Sequence, residues 1–236
     1  MAGYQPIIHR LKKAKWHLQA LRSAYWLEGA FRSHPDLTII TVKTYRQKSF
    51  LEASLEYLGV SPPVVLNEPF EGRWRSTLKV QFILNYLHSG QCKTKYLLYC
   101  DATDTIIRDD PHKILELFKE EKVDLLFCST MSPLGYVCMP DRYEWTKVVA
   151  PKSSRYLNAG GFIGRSTFIE QVLLEANKYI DPKQYRIAAR IKRIEDCQKV
   201  PDFPLGTSDQ IILRYVFPEF YPSMDLDYIN RIFYRN

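Results

Sequence analysis

The sequence predicts an α/β fold in which a mostly parallel central sheet is flanked by helices. Three observations lead there. Short, nearly continuous apolar runs at 37–42, 96–100 and 123–128 have the pattern of strands buried on both faces. Longer stretches with helical spacing of apolar residues separate them, at 49–58, 77–87 and 111–122. No internal repeat or low-complexity tract interrupts the alternation.

The elements follow in order. Residues 5–31 read as a helix with a loose apolar stripe (Leu11, Leu18, Leu21, Trp26), ended by His34-Pro35. The β-branched run 37–42 is a first strand. Helix 49–58 stops at Gly59. A short strand at 64–66 leads to a loop at 68–75 with Pro69 and Gly72, then to helix 77–87. Strand 96–100 ends on Asp101. Helix 111–122 opens with Pro111 at its first position. Strand 123–128 follows. The segment 156–165 reads as a glycine-rich turn running into a short strand at 162–163. Ser166 caps a helix to 180, residues 184–197 form a helical insertion, and a loop at 201–206 precedes helix 208–217. Short strands and turns close the chain. The organisation expected is a basic helical extension at 1–36 and one domain at 37–236, with a basic insertion at 183–199.

Composition limits the function classes. At 236 residues, 46% hydrophobic and 25% charged, the chain can bury a sizeable core. The net charge of +7 is concentrated in residues 1–36 and 183–199, each with six Lys/Arg against two acids. Those segments lack glycine-flanked aromatic motifs, so nucleic acid is not the expected partner. No run of 18 apolar residues predicts a membrane span, and no apolar stretch after Lys12, Lys13 and Lys15 predicts a signal peptide. The five cysteines have no framework spacing, which predicts free thiols and a reducing, cytoplasmic setting.

The chemistry concentrates in KYLLYCDATDTIIRDDP at 95–111. In parallel sheets, ligands bind at the carboxyl ends of strands. Here one such end delivers Asp101 and, three residues on, Asp104. Two carboxylates on one turn can share a hard cation such as Mn²⁺ or Mg²⁺, which takes oxygen ligands and leaves positions open for phosphates. A phosphatase that places an aspartate nucleophile after a strand needs acids two apart, and the spacing here is three. Two further segments stand out. In YLNAGGFIGR at 156–165, the glycines imply close backbone approach or unusual turns, and Asn158 can present an amide to sugar hydroxyls. In Ser208-Asp209-Gln210, a carboxylate sits at a helix start, favoured there by the dipole alone.

The ordered set Lys79-Val80, strand-Asp-x-x-Asp, YLNAGGFIG, SDQ and the closing LDYINRIF resembles the glycosyltransferase domain of the procollagen-lysine hydroxylase/glycosyltransferases, the lysyl hydroxylase family. The resemblance runs from about Leu37 to Asn236. It implies a GT-A fold, a metal-dependent hexosyltransferase, a UDP-sugar donor and a Mn²⁺-type metal. Residue by residue, it implies Asp101 and Asp104 as metal ligands and Thr44 beside the uridine. Trp74 would stand near the donor and Lys79 on its diphosphate. Asn158, Gly160 and Gly161 would line the sugar side, with Asp209 at the transferred sugar. The acceptor hydroxyl, on a glycan, a protein or a small molecule, is not implied, and collagen as acceptor does not follow, because the collagen hydroxylase half of that family is not part of this sequence.

Three departures bear on those expectations. The family places a histidine ligand after the closing motif, whereas all five histidines here lie at or before His112. That predicts a metal shell short of a third protein ligand, with Asp225 and Asp227 as substitutes or plain turn acids. A run of acids before the family's D-Q pair is Gly206-Thr207-Ser208 here, and a donor-region tryptophan is Met139. The alternative to an enzyme is therefore a catalytically degenerate sugar-nucleotide-binding or scaffold module.

Overall fold

A computed structural model of the chain describes residues 33–133, 135–150, 154–181, 206 and 208–234. The basic helix expected at 5–31 and the insertion at 183–199 lie outside them.

Strand β1 (Leu37–Val42) is apolar and β-branched, and five of its six residues are buried. Helix α1 (Phe50–Tyr57) begins with a capping box: Glu52 N–H donates to Ser49 Oγ, and Ser49 N–H to Glu52 Oε2. Gly59, at φ 71°, turns the chain out of it toward β2 (Val64–Leu66). Helix α2 (Leu78–His88) leads to β3 (Tyr96–Cys100), which is buried throughout. Asp110 caps α3 (Pro111–Glu120) by accepting from the His112 N–H. Strand β4 (Leu125–Thr130), a 3₁₀ turn (Tyr136–Cys138) and α4 (Pro140–Val149) follow. Strand β5 (Tyr156–Arg165), α5 (Ser166–Asn177), α6 (Asp209–Phe220) and β6 (Met224–Asp227) complete the order.

The six strands form one sheet in the order β2-β1-β3-β5-β4-β6. Five run the same way, and β5 runs against both of its neighbours. Alternation along β3 shows the three-layer packing. Leu97 and Tyr99 face a core shared with α2, α5 and α6, while Tyr96, Leu98 and Cys100 face one shared with α1 and α3. This is the α/β architecture expected from the sequence, consistent with a GT-A-like domain.

Four sequence expectations need correction. The segment 156–161 is no turn. It is the first half of a ten-residue strand, paired with β4 at Tyr156–Asn158 and with both neighbours further on. The fourth strand occupies Leu125–Thr130 and not 123–128: Lys122 turns at φ 56°, and the ladder starts where the Asp124 and Leu125 N–H groups donate to Ser223 O. Helix α4 was hidden by its low amphipathicity, although Pro140 stands at its first turn. Finally, Cys92, Cys100 and Cys128 are free, but Cys138 is disulfide-bonded, so the thiol-only reading fails there. Disulfides persist in oxidising surroundings. The cysteines therefore lend no support to a reducing compartment.

Candidate functional site

Five strands share a carboxyl-end edge, and the reversed β5 brings its amino end to that same edge. Three charged side chains converge there from different elements. Lys79, the second residue of α2, places Nζ 3.1 Å from Asp101 Oδ1 and 2.6 Å from Asp209 Oδ2. Asp101 follows β3, and Asp209 opens α6. Lys79 and Asp209 are largely enclosed, whereas 31% of the Asp101 side chain remains exposed. The outermost member of the cluster is thus a carboxylate.

The electrostatics follow from that geometry. Burial pushes the Asp101 pKa up, and the Lys79 charge and the Tyr99 and Lys79 hydrogen bonds offset this only in part. Burial alone would lower the Lys79 pKa, but the flanking carboxylates of Asp209 and Asp101 outweigh it and raise it. Lys79 is therefore held as a cation, and it keeps two carboxylates together that would otherwise repel. Asp101 Oδ1 also accepts from the Tyr99 hydroxyl at 2.6 Å.

β5 closes the site through its backbone. Phe162 pairs with Phe127, but Asn158 pairs with the next residue, Cys128, so residues 159–161 bulge away from β4. On the other side the Asp101 N–H donates to Gly160 O at 2.9 Å. Asn158 Oδ1 accepts from Gly160 N–H, and Gln210 Oε1 accepts from Asn158 Nδ2 and the Ala159 N–H. The glycines are there for close approach. A Cβ on Gly160 would lie 2.9 Å from Asn158 Oδ1 and 3.0 Å from Asp101 Oδ2, and one on Gly161 would meet the Phe233 ring at 3.1 Å.

The sequence-derived candidates thus divide. Lys79, Asp101, Asp209, Asn158 and Gly160 are brought together, with Gly161 beside them in β5 opposite Cys100. Asp104 is exposed on the turn after β3, and its charge acts on Tyr45. Thr44 is exposed just beyond β1. Trp74 is partly exposed and packs edge-on against Phe70 at 5.8 Å. Among the described residues, no contact joins Thr44 or Trp74 to the charged cluster. A cavity of 590 Å³ between α2, the 68–75 loop and the end of α5, lined by Phe70, Arg75, Asn85 and Leu174, contains none of the three charges.

The departures also find structural reasons. A Cβ on Gly206 would come within 2.4 Å of Tyr179 O and Asp181 N, so no acidic side chain fits at that position. Met139 is buried against Tyr136 and Tyr156. Asp227 is committed to the backbone: Oδ1 accepts from the Arg231 N–H, and Oδ2 from the Ile232 and Phe233 N–H groups. Asp225 Oδ1 accepts from the Leu226 N–H. Both acids thus accept backbone N–H groups of the closing segment.

Two residues the sequence reading passed over, and a third it named only as part of the SDQ segment, belong to the site's frame. Tyr99 lies two residues before Asp101, and the period-two rule for strands puts both side chains on one face. Gln210 follows Asp209 in the SDQ segment. Arg214 is fully buried on α6 and donates from Nε to Leu157 O and from Nη2 to Ser132 O, with its guanidinium 4.9 Å from the Tyr136 ring centre. No local sequence signal marks Arg214, because its partners lie 57 and 82 residues away.

Two features of this edge suit a divalent cation. The donors are carboxylate oxygens, the ligands that Mg²⁺ and Mn²⁺ prefer, and Gly160 leaves room beside Asp101 Oδ2 that a side chain would fill. Among the described residues there is no group of three or more His, Cys, Asp or Glu positioned around such an ion. Nor is any helix among them long and apolar enough to cross a membrane.

The family model described as the PLOD GT domain matches residues 33–184, well over half of the chain. The match spans Lys79, Asp101, Asp104, Asn158, Gly160 and Gly161, and it stops short of Asp209. No curated protein matches the chain.

Proposed function

Because the chain belongs to the PLOD glycosyltransferase-domain family, and so is a glycosyltransferase using a sugar-nucleotide donor and an acceptor, we propose that it moves a hexose from a UDP-sugar to an acceptor hydroxyl with the help of a bound Mn²⁺ or Mg²⁺. The single observation that carries this reading is the placement of Lys79 between Asp101 and Asp209, at 3.1 and 2.6 Å. It joins Asp209, outside the matched segment, to Asp101 inside it.

In this reading Asp101 Oδ2 and Asp104 hold the metal. When bound, such an ion neutralises charge on the departing diphosphate. Lys79, already cationic and fixed, supplies the second positive charge next to the leaving group, in a setting where little reorganisation is needed. Asn158, oriented by Gln210 and the Gly160 N–H, presents its amide to sugar hydroxyls. Gly160 and Gly161 line the sugar side, and their lack of side chains lets Asp101, Asn158 and Phe233 close up against β5. Asp209 holds the sugar or takes the acceptor proton, at the start of a helix whose dipole favours its negative charge. Thr44 contacts the uridine and Trp74 stands near the donor. The acceptor is a hydroxyl of a glycan, a protein or a small molecule.

With two protein carboxylates, the metal's remaining positions fall to diphosphate oxygens and water. Mn²⁺ is therefore expected to bind the free protein weakly and the UDP complex much more tightly. By linkage, Mn²⁺ raises UDP affinity by the same factor. Calorimetric titration of each ligand with and without the other tests this, and absence of coupling in both directions sinks the metal site. The non-enzymatic alternative draws on the lack of a third ligand among the described residues. Donor hydrolysis in Mn²⁺ separates the two: a folded protein that binds UDP but never hydrolyses or transfers from any UDP-sugar is a binding module.

A further inference from the structure

We propose that Tyr99 is a positioning residue that fixes which oxygen of Asp101 faces the metal. The inference rests on the metal reading above and goes beyond it, because it explains why Asp101 presents one oxygen and not two. The Tyr99 hydroxyl donates to Asp101 Oδ1 at 2.6 Å, and Lys79 Nζ reaches the same oxygen at 3.1 Å. Both donors occupy Oδ1. Oδ2 is the oxygen that borders the space left by Gly160. The carboxylate is thus held by its hydrogen bonds so that Oδ1 is engaged and Oδ2 is the oxygen on the Gly160 side, a one-oxygen ligand in this reading.

The hydroxyl can do this because its ring cannot move. Tyr99 is 1% exposed. Its ring stacks on Phe162 at 5.0 Å with the planes 22° apart, and Phe162 in turn packs on Phe127 at 5.0 Å. Lys79 Nζ lies 5.7 Å from the centre of the Tyr99 ring. The backbone of Asp101 is pinned from the other side by Gly160 O. One carboxylate is therefore held by its main chain, by an immobile phenol and by a buried ammonium. The plain alternative is that a buried tyrosine hydroxyl has simply found an acceptor, as buried tyrosines usually do. The two differ in what depends on the hydroxyl: the orientation of a metal ligand, or packing alone.

Tyr99→Phe keeps the ring and its stack and removes the donor. Mn²⁺ binding is read by the electron paramagnetic resonance signal of the free ion, in saturating UDP, alongside calorimetric UDP titrations without metal. The expected result is a loss in Mn²⁺ affinity of about tenfold or more, the usual scale for losing an outer-shell partner. Metal-free UDP affinity should stay within about twofold, on the same reasoning that the hydroxyl acts only through the metal ligand. Wild-type Mn²⁺ affinity in Tyr99→Phe overturns the inference, as does an equal loss of Mn²⁺ and metal-free UDP affinity. Where Tyr99→Phe does not fold, Phe162→Leu keeps the hydroxyl but removes the ring that immobilises it, and wild-type Mn²⁺ affinity there overturns the inference instead. Asp101→Asn separates this failure from that of the parent reading. If it retains Mn²⁺–UDP coupling, the metal site itself is wrong; if it abolishes coupling while Tyr99→Phe leaves it intact, only the role of Tyr99 fails.

Discussion

Asp101 and Asp227 stand in equivalent places, each where a buried strand of the parallel set runs out, yet their surroundings use them in opposite ways. Asp227 is 4% exposed and accepts three backbone N–H groups from Arg231, Ile232 and Phe233 at 2.7 to 2.8 Å. It latches the closing segment across the sheet edge, and that segment delivers Phe233 against Gly161. Asp101 meets side chains and one β5 carbonyl, and 31% of its side chain stays exposed. A carboxylate becomes chemically available when its neighbours satisfy it with side chains that hold it in place, and unavailable when backbone donors saturate it.

The largest way to break this comparison is Asp101→Asn. Turnover should fall by about 10² to 10³-fold, the scale of losing one strong electrostatic stabiliser, while the melting temperature stays close to wild type. Steady-state kinetics with a UDP-sugar, paired with thermal unfolding, checks both halves. Asp227→Ala should do the reverse. It leaves three N–H groups without their acceptor and should lower unfolding free energy by about 3 kcal/mol, with Mn²⁺ affinity little changed at temperatures where the protein is folded. Urea titration measures the first, and a tenfold loss of Mn²⁺ affinity in the folded variant would move Asp227 into the metal site.

Gly160→Ala tests the space beside Asp101. Either Asn158 or Asp101 must yield to a Cβ at 2.9 to 3.0 Å. Mn²⁺ affinity in the presence of UDP should drop about tenfold, or about 1.4 kcal/mol. The smallest effect belongs to Asp225→Asn. Burial raises the Asp225 carboxyl pKa, against the opposing bonds from the Leu226 N–H and Tyr228. A raised folded pKa means that the native state holds its proton to higher pH than the unfolded chain, so stability falls as pH rises through the carboxyl range. The asparagine variant should therefore be slightly more stable at pH 7, and that gain should vanish below the ordinary carboxyl pKa. Melting temperatures at the two extremes decide it, and no change in Mn²⁺ affinity is expected.

Much of this was legible in the sequence. Apolar runs located β1, β3 and most of β4, and the strand-end rule pointed to Asp101. Lys79 and Asp209 came from the ordered motifs of the resembling family, and the structure adds their direct contact. What stayed hidden depends on how the chain turns and packs. Nothing in the residue types after Asp227 shows that its oxygens are filled, because the donors of Arg231, Ile232 and Phe233 reach them only through the turn that follows β6. Arg214 reads as an ordinary helix arginine until Leu157 and Ser132 are seen against it. The glycine-rich segment was misread because Gly160 and Gly161 normally signal a turn, while here they are needed where a strand crowds Asp101, Asn158 and Phe233.

The bulge in β5 also sets where the molecule can change length. Below it, Phe162–Arg165 are locked between two ladders, and a one-residue slip would turn every buried side chain to the wrong face. Above it, Tyr156–Asn158 pair with β4 alone. The ladder to β4 is already interrupted at residues 159–161, but Gly160 O and Gly161 still pair with Asp101 and Cys100, so an inserted or deleted residue is accommodated ahead of Gly160 and shifts the rim without moving the floor. Length can therefore change at the rim of β5 while the doubly paired half keeps its register.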